Sequence, residues 1–379
     1  MFCITSINNK NFIMKKQKND VLLKKLSWEE FNKLSPGKKI KFYESKGRIF
    51  DALYSQQFSR PLLEKLFAIA TKIRFIAKEK PGLDWLQSLL SNKRAMLYFV
   101  QPSTRTFVSF QSACFILGMR VSEIRSTSTS SELKGETPED TIRTFSSYVD
   151  LIVMRHFLEG MVEKSAWLLN NTKRPVRIIN GGSGRDQHPT QALLDLYTLN
   201  YSFLMRGGID NKKIAMVGDL KRGRTVRSLT YLLKHYKNIE IIYISPEYLK
   251  VEDDIKNFLK KNKMKYKETD DLQTALKYAD AVYMTRIQDE YDINNESKDI
   301  DYTRFHLKYE NLKLMKKDAI IMHPLPRRAE IDTAIDNDDR AMYWRQERNG
   351  MWIRAALIAY MFAIEDIILN FGENYSLKR

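Results

Sequence analysis

The chain has 379 residues, 43% of them apolar, and its 63 basic and 46 acidic side chains give a net charge of +17. That length suits about two domains, and that apolar content excludes a disordered chain. Two cysteines, Cys3 and Cys114, exclude a disulfide framework or a Cys-rich metal site and point to a reducing, cytoplasmic compartment. The apolar run at residues 355–364 is far too short to span a bilayer.

The charge is uneven. Residues 1–50 hold twelve Lys and Arg against four acids, nearly half of the net excess. Such a segment reads first as a basic, solvated N-terminal extension. The alternatives are an anion-contacting leader and a targeting peptide, although no apolar stretch with a small-residue cleavage site follows. Met14 offers a second start. No nucleic-acid motif or interleaved aromatic platform accompanies the charge, so a nucleic-acid partner is not expected.

Next, residues 60–78 repeat apolar positions at helical spacing, up to Pro81-Gly82 as a breaker. Residues 94–100 read as a buried strand, then a polar turn, Gln101 to Thr106, then a helix over 107–117. The same grammar returns. Strands are predicted at 150–154, 176–179, 213–217, 239–244, 281–284 and 319–322. Helices are predicted at 189–199 and 225–235, with one from 244 towards 262, and a long apolar helix lies at the C-terminal end, 351–369. Alternating strands and helices predict an α/β protein with two doubly wound parallel sheets. Residues 51–199 form the first domain, completed by 351–370, and residues 200–350 the second. Ligands in such folds sit at the carboxyl ends of the strands, where every polar cluster in this chain falls.

Ser103-Thr104-Arg105-Thr106 joins a strand to a helix. Free N–H groups there attract anions, and Arg105 adds a fork for phosphate. The ordinary alternative is an N-cap. His188 opens the 189–199 helix, one turn from Gln191. A histidine held neutral there can polarise a carbonyl oxygen; alone, it would be a loop histidine. Arg224 and Arg286 also follow strands. Two separate guanidinium groups suit a dicarboxylate, against the plainer reading as surface charge. There is no HExxH zinc pattern and no Walker loop.

Together these residues resemble a known family. Residues 99–106, Lys134-Gly-Glu-Thr-Pro-Glu-Asp-Thr141, Val153-Met-Arg-His156, residues 186–195, residues 218–229, Tyr283-Met-Thr-Arg-Ile-Gln288 and His323-Pro-Leu-Pro-Arg327 resemble, in order, motifs of the aspartate and ornithine carbamoyltransferases. Arg286 and Gln288 belong to the aspartate branch. Pro324 stands where ornithine enzymes carry Cys, and no Ser-Met-Gly loop is found.

The resemblance implies transfer of a carbamoyl group from carbamoyl phosphate to L-aspartate in pyrimidine synthesis, with an ornithine or other amino-acid carbamoyltransferase as the alternative. It implies phosphate contacts from Ser103, Thr104, Arg105 and Thr106, with Arg155. Thr106, Arg155 and His188 would surround the carbonyl oxygen. Gln191 and the backbone carbonyls of Pro324 and Leu325 would hold the carbamoyl amino group. Arg224, Arg286 and Gln288 would hold aspartate. Ser130, with Ser131 as its alternative, and Lys134 would lie on a loop reaching a neighbouring subunit of a homotrimer. Neither metal nor organic cofactor is expected, and a regulatory chain is left open.

Overall fold

The protein is described here from a computed structural model, over residues 26–126, 135–183, 187–287 and 301–372. Two short helices, α1 (Trp28–Asn32) and α2 (Pro36–Phe42), and a hairpin of β1 (Glu44–Ser45) and β2 (Arg48–Ile49) come first. The helices α3 (Arg60–Ile76) and α4 (Lys80–Ser88) follow. Pro81 therefore begins α4 as well as separating it from α3, because a first-turn residue needs no N–H partner.

The first sheet contains β3 (Arg94–Phe99), β4 (Arg120–Ile124), β5 (Leu151–Arg155) and β6 (Arg177–Asn180). Its order is β4-β3-β5-β6, all parallel. Between these strands run α5 (Thr104–Ile116), α6 (Pro138–Ser146) and α7 (Met161–Asn170). Phe99 pairs with Arg155, so β3 and β5 end level with each other.

Helix α8 (Pro189–Phe203) leads to the second sheet. Its strands are β7 (Lys213–Val217), β8 (Glu240–Ile244), β9 (Lys265–Thr269), β10 (Ala281–Met284) and β11 (Ile320–Met322), with helices α9 (Arg224–Leu233), α10 (Asp253–Lys261) and α11 (Leu272–Tyr278). The order is β11-β10-β7-β8-β9, again parallel throughout. The chain closes with α12 (Tyr343–Met361) and α13 (Glu365–Leu369).

The strands β3, β5, β6, β7, β8, β10 and β11 were predicted to within a residue or two, and β4 and β9, each at one edge of its sheet, were missed. Both present mostly exposed or half-exposed positions, and without an apolar run nothing in the sequence marks a strand. The single helix predicted over 351–369 is two helices: α12 starts eight residues earlier, at Tyr343, and ends at Met361, and α13 follows from Glu365. The first turns of α12, Tyr343 to Gly350, are rich in polar side chains, yet Gln346 and Asn349 are buried.

One apolar core runs through both sheets, from Val153 and Ile179 to Ile214 and Tyr283. Helix α8 makes this continuity possible: every residue from Pro189 to Leu199 is buried. A helix buried all round has neighbours on every side, and here they include α9 and α12. No helix among the described residues is long and apolar enough to cross a membrane.

The solvated-extension reading of residues 1–50 needs correction from Trp28 onward. Phe31 and Tyr43 are fully buried, in one cluster with Tyr98, Ile152 and Ile178. Tyr43 OH donates to the Glu163 carbonyl at 3.2 Å, and Lys39 pairs with the Glu163 carboxylate at 3.0 Å. Arg48 donates to the Tyr360 carbonyl at 2.6 Å and to Glu365 at 2.7 Å. Lysine-rich spacing masked a short apolar pattern whose partners are distant in sequence, most of them on the first sheet, α7 and α12.

Beginning the chain at Phe50 should therefore destabilise it rather than leave it intact. Loss of a buried Phe side chain alone costs about 3–5 kcal/mol, and Tyr43 goes with it. We expect a lower melting temperature or aggregation by thermal scan and light scattering. An unchanged melt would show that this packing contributes nothing.

Candidate active site

Both sheets turn their strand carboxyl ends towards one cavity of about 480 Å³. On the first sheet, the turn after β3 delivers Ser103, Arg105 and Thr106. Ser103 is the N-cap residue of α5, yet its side chain makes no cap hydrogen bond. The plain N-cap alternative thus fails for its hydroxyl, which lines the cavity instead. Thr106 is buried, and Arg105 is 42% exposed. Thr104 is exposed and does not line the cavity; it contributes the first helical residue.

Arg155 is the last residue of β5 and is buried. Its Nη1 donates to the Gly181 carbonyl at 3.2 Å. His188 caps α8, with Nδ1 accepting the Gln191 backbone N–H at 3.3 Å. That bond assigns the ring proton to Nε2. Burial, then the Arg155, Arg224 and Arg354 charges, pushes the His188 pKa well below its usual value. The ring is therefore a neutral donor at physiological pH, and burial is the leading cause. Gly182 lies over it at φ +92°; a Cβ there would come within 2.4 Å of the imidazole and 2.8 Å of Arg155 Nη1. Only glycine accommodates both the left-handed backbone and that approach.

The second sheet supplies Arg224, the first residue of α9, and Arg286, two residues beyond β10. Pro324 and Leu325 follow β11 and line the same cavity. The backbone N–H of Leu325 donates to His323 Nδ1 at 2.7 Å, and His323 Nε2 lies 2.8 Å from Glu330. The expected residues Ser130, Lys134 and Gln288 lie outside the described residues.

Seven lining residues were not singled out as site residues from the sequence: Gln101, Pro102, Thr225, Thr285, Pro326, Glu347 and Arg354. Five lie inside motifs already quoted, and Glu347 lies outside them all. Arg354 gave no signal, because it sits inside the most apolar part of α12 and is fully buried there. Its burial lowers its pKa to about 10. Its Nη1 donates to Ser109 Oγ at 2.5 Å. Among the described residues, the cavity thus gathers five arginines, one neutral histidine and one carboxylate. Such a lining binds a ligand with several negative charges. Among the described residues, no three His, Cys, Asp or Glu side chains assemble a metal-ligand set.

Residues 51–201 match the family described as aspartate/ornithine carbamoyltransferase, carbamoyl-P binding domain, and residues 210–361 match its Asp/Orn binding domain. The chain belongs to the aspartate/ornithine carbamoyltransferase family. The family match spans both sheets and the cavity between them. The chain is 41% identical to the chloroplastic aspartate carbamoyltransferase of Arabidopsis thaliana, over 83% of this chain and 78% of that protein. It is 39% identical to the catalytic subunit from Clostridium botulinum, over 84% and 99%. The fold matches the catalytic subunit of M. jannaschii aspartate transcarbamoylase with TM-score 0.72 and 36% identity, covering 83% of this chain and 98% of that one. It also matches the Trypanosoma cruzi enzyme in complex with carbamoyl phosphate and aspartate (TM-score 0.73, 32% identity, 81% and 95% covered).

In this carbamoyltransferase chain, a buried carboxylate behind the cavity sets the orientation of Gln191. Asp195 accepts from Gln191 Nε2 at 2.9 Å, Gln346 Nε2 at 2.6 Å and Tyr283 OH at 2.8 Å. Burial raises its pKa to about 7, against the pull of those three donors. With its Nε2 committed, Gln191 keeps Oε1 as an acceptor for the cavity. Gln346 Oε1 in turn accepts the His323 N–H at 2.9 Å. Replacing Asp195 by Ala should release Gln191 and lower kcat/KM for carbamoyl phosphate roughly 10- to 100-fold, as three hydrogen bonds worth about 0.5–1 kcal/mol each are lost. Asp195→Asn keeps an acceptor for both glutamines, and Tyr283 OH can accept from its amide. Steady-state kinetics should find most activity restored in that variant. Asn and Ala variants that are equally poor would assign the effect to charge rather than to hydrogen bonding.

Proposed function

We propose that the protein transfers the carbamoyl group of carbamoyl phosphate to the amine of L-aspartate, giving N-carbamoyl-L-aspartate and phosphate, in pyrimidine synthesis. The observation that carries this reading is the convergence of five arginines and the neutral His188 on one cavity between two parallel sheets.

In this reading, Ser103, Arg105 and Thr106 with the start of α5 take the phosphate, and Arg155 assists. Thr104 contributes through its backbone at the helix start. Thr106, Arg155 and His188 Nε2–H surround the carbonyl oxygen. The aspartate amine attacks the carbonyl carbon, and negative charge moves to that oxygen, where fixed donors stabilise it without reorganising. The C–O bond to phosphate then breaks, and the departing phosphate is basic enough to take the amine proton. Gln191 Oε1 and the carbonyls of Pro324 and Leu325 hold the carbamoyl NH₂. Arg224 and Arg286, with Gln288, hold the two carboxylates. Most of the acceleration comes from orientation and charge stabilisation.

Aspartate suits this cavity better than ornithine does. An ammonium-ended side chain entering beside five arginines meets repulsion, whereas a carboxylate meets attraction. The purified chain should form carbamoylaspartate from carbamoyl phosphate and aspartate, with no citrulline from ornithine. Citrulline without carbamoylaspartate would reverse the assignment.

The reading extends to a cytoplasmic cyclic homotrimer in which Ser130 and Lys134 enter a neighbour's cavity; it rests on the family resemblance of residues 134–141. Arg105→Ala and Lys134→Gln chains should each be inactive alone. After dissociation and equal mixing, about three quarters of trimers are hybrids, each with one junction of intact body and intact loop. Roughly a quarter of all sites should then regain activity, by the geometry of a closed heterologous ring. Hybrids confirmed by native mass spectrometry but inactive would return both residues to one subunit's site.

A further inference from the structure

Glu347 stands out in the cavity lining. It is the one carboxylate among the described lining residues, in a cavity built to take anions. It lies on α12, seven residues before Arg354, so two helical turns place both on one face. Gly350 sits between them. A Cβ at 350 would approach Arg354 Nη1 to 2.6 Å and Ser109 Oγ to 3.1 Å. The glycine thus leaves space for Arg354 to reach back along the helix towards the cavity.

Glu347 Oε1 lies 3.9 Å from Arg105 Nε. That separation is an ion pair without a hydrogen bond, so the guanidinium keeps its donors for another partner. The Glu347 side chain is 22% exposed. Burial raises its pKa, while Arg354 and Arg105 act in the opposite direction. No catalytic step described above uses this group.

We propose that Glu347 is a positioning residue that weakens the cavity's hold on phosphate, both as the end of carbamoyl phosphate and as the inorganic product. Its carboxylate shares Arg105 with the incoming phosphate and repels that anion across a partly desolvated space. The effect keeps Arg105 placed for the substrate and limits retention of the product. This inference rests on the proposed function for its phosphate end, and its test needs no turnover.

Titration calorimetry of the full chain with inorganic phosphate measures the effect directly. Glu347→Gln removes the charge at nearly constant shape. It should lower the phosphate Kd about three- to tenfold, equivalent to ~0.7–1.4 kcal/mol, and lower the carbamoyl phosphate KM in the same direction. Glu347→Ala should shift the same way, and Glu347→Asp should stay near the parent. A residue that merely braces Arg105 would give the opposite sign, with weaker phosphate binding in the Gln and Ala variants. That sign, an unchanged Kd, a shift in only one of the two variants, or a Gln variant that fails to fold would each overturn the proposal. A parent chain that binds no phosphate would instead defeat the proposed function.

Discussion

Five guanidinium groups share one cavity, and the fold has to hold them against their mutual repulsion. Like charges in a partly dry space repel strongly, so no flexible loop could assemble them alone. Each is anchored differently. Arg155 ends a buried strand, Arg224 opens a helix, and Arg354 is fixed inside α12 on Ser109. Arg105 has Glu347 nearby. Burial first, then the charges of Arg155, Arg224 and Arg354, keeps His188 neutral, and the bond at its Nδ1 leaves Nε2 as the donor.

The two sheets are joined by a continuous core and by polar bonds that cross it. His188 N–H donates to Ser228 Oγ on α9 at 3.0 Å, and Tyr283 OH on β10 reaches Asp195 on α8. Gln346 ties α12 to Asp195 on one side and to the His323 turn on the other. A buried carboxylate is costly unless its lone pairs are used, and here three donors use them. The residues that touch the cavity are thus oriented by groups that do not, and both sheets contribute to the arrangement.

The N-terminal segment shows how charge can hide a core element. Between its lysines lie Trp28, Phe31, Phe42 and Tyr43, whose rings pack together and against Trp167 or Tyr54. Local periodicity over five to seven residues is too short to read as a buried helix. Only the partner surface on α7 and the first sheet makes it one.

Much of the site was legible because strand, polar turn and helix leave a plain trace. Ser103, Arg105, Thr106, Arg155, His188, Gln191, Arg224, Arg286, Pro324 and Leu325 all lie just past or at a strand end, and the cavity collects them. Periodicity alone determined the α/β class and the parallel sheets, since β-branched runs alternating with amphipathic segments pack stably in few other ways. Residue order then determined which polar groups could meet. What only the tertiary structure decided are relations across long sequence distances. These include the burial of Phe31, the edge strands β4 and β9, the entry of Arg354 and Glu347 into the cavity, and the Asp195 network. Their signals are single polar side chains in apolar or charged surroundings, and such residues acquire meaning only from what faces them after folding.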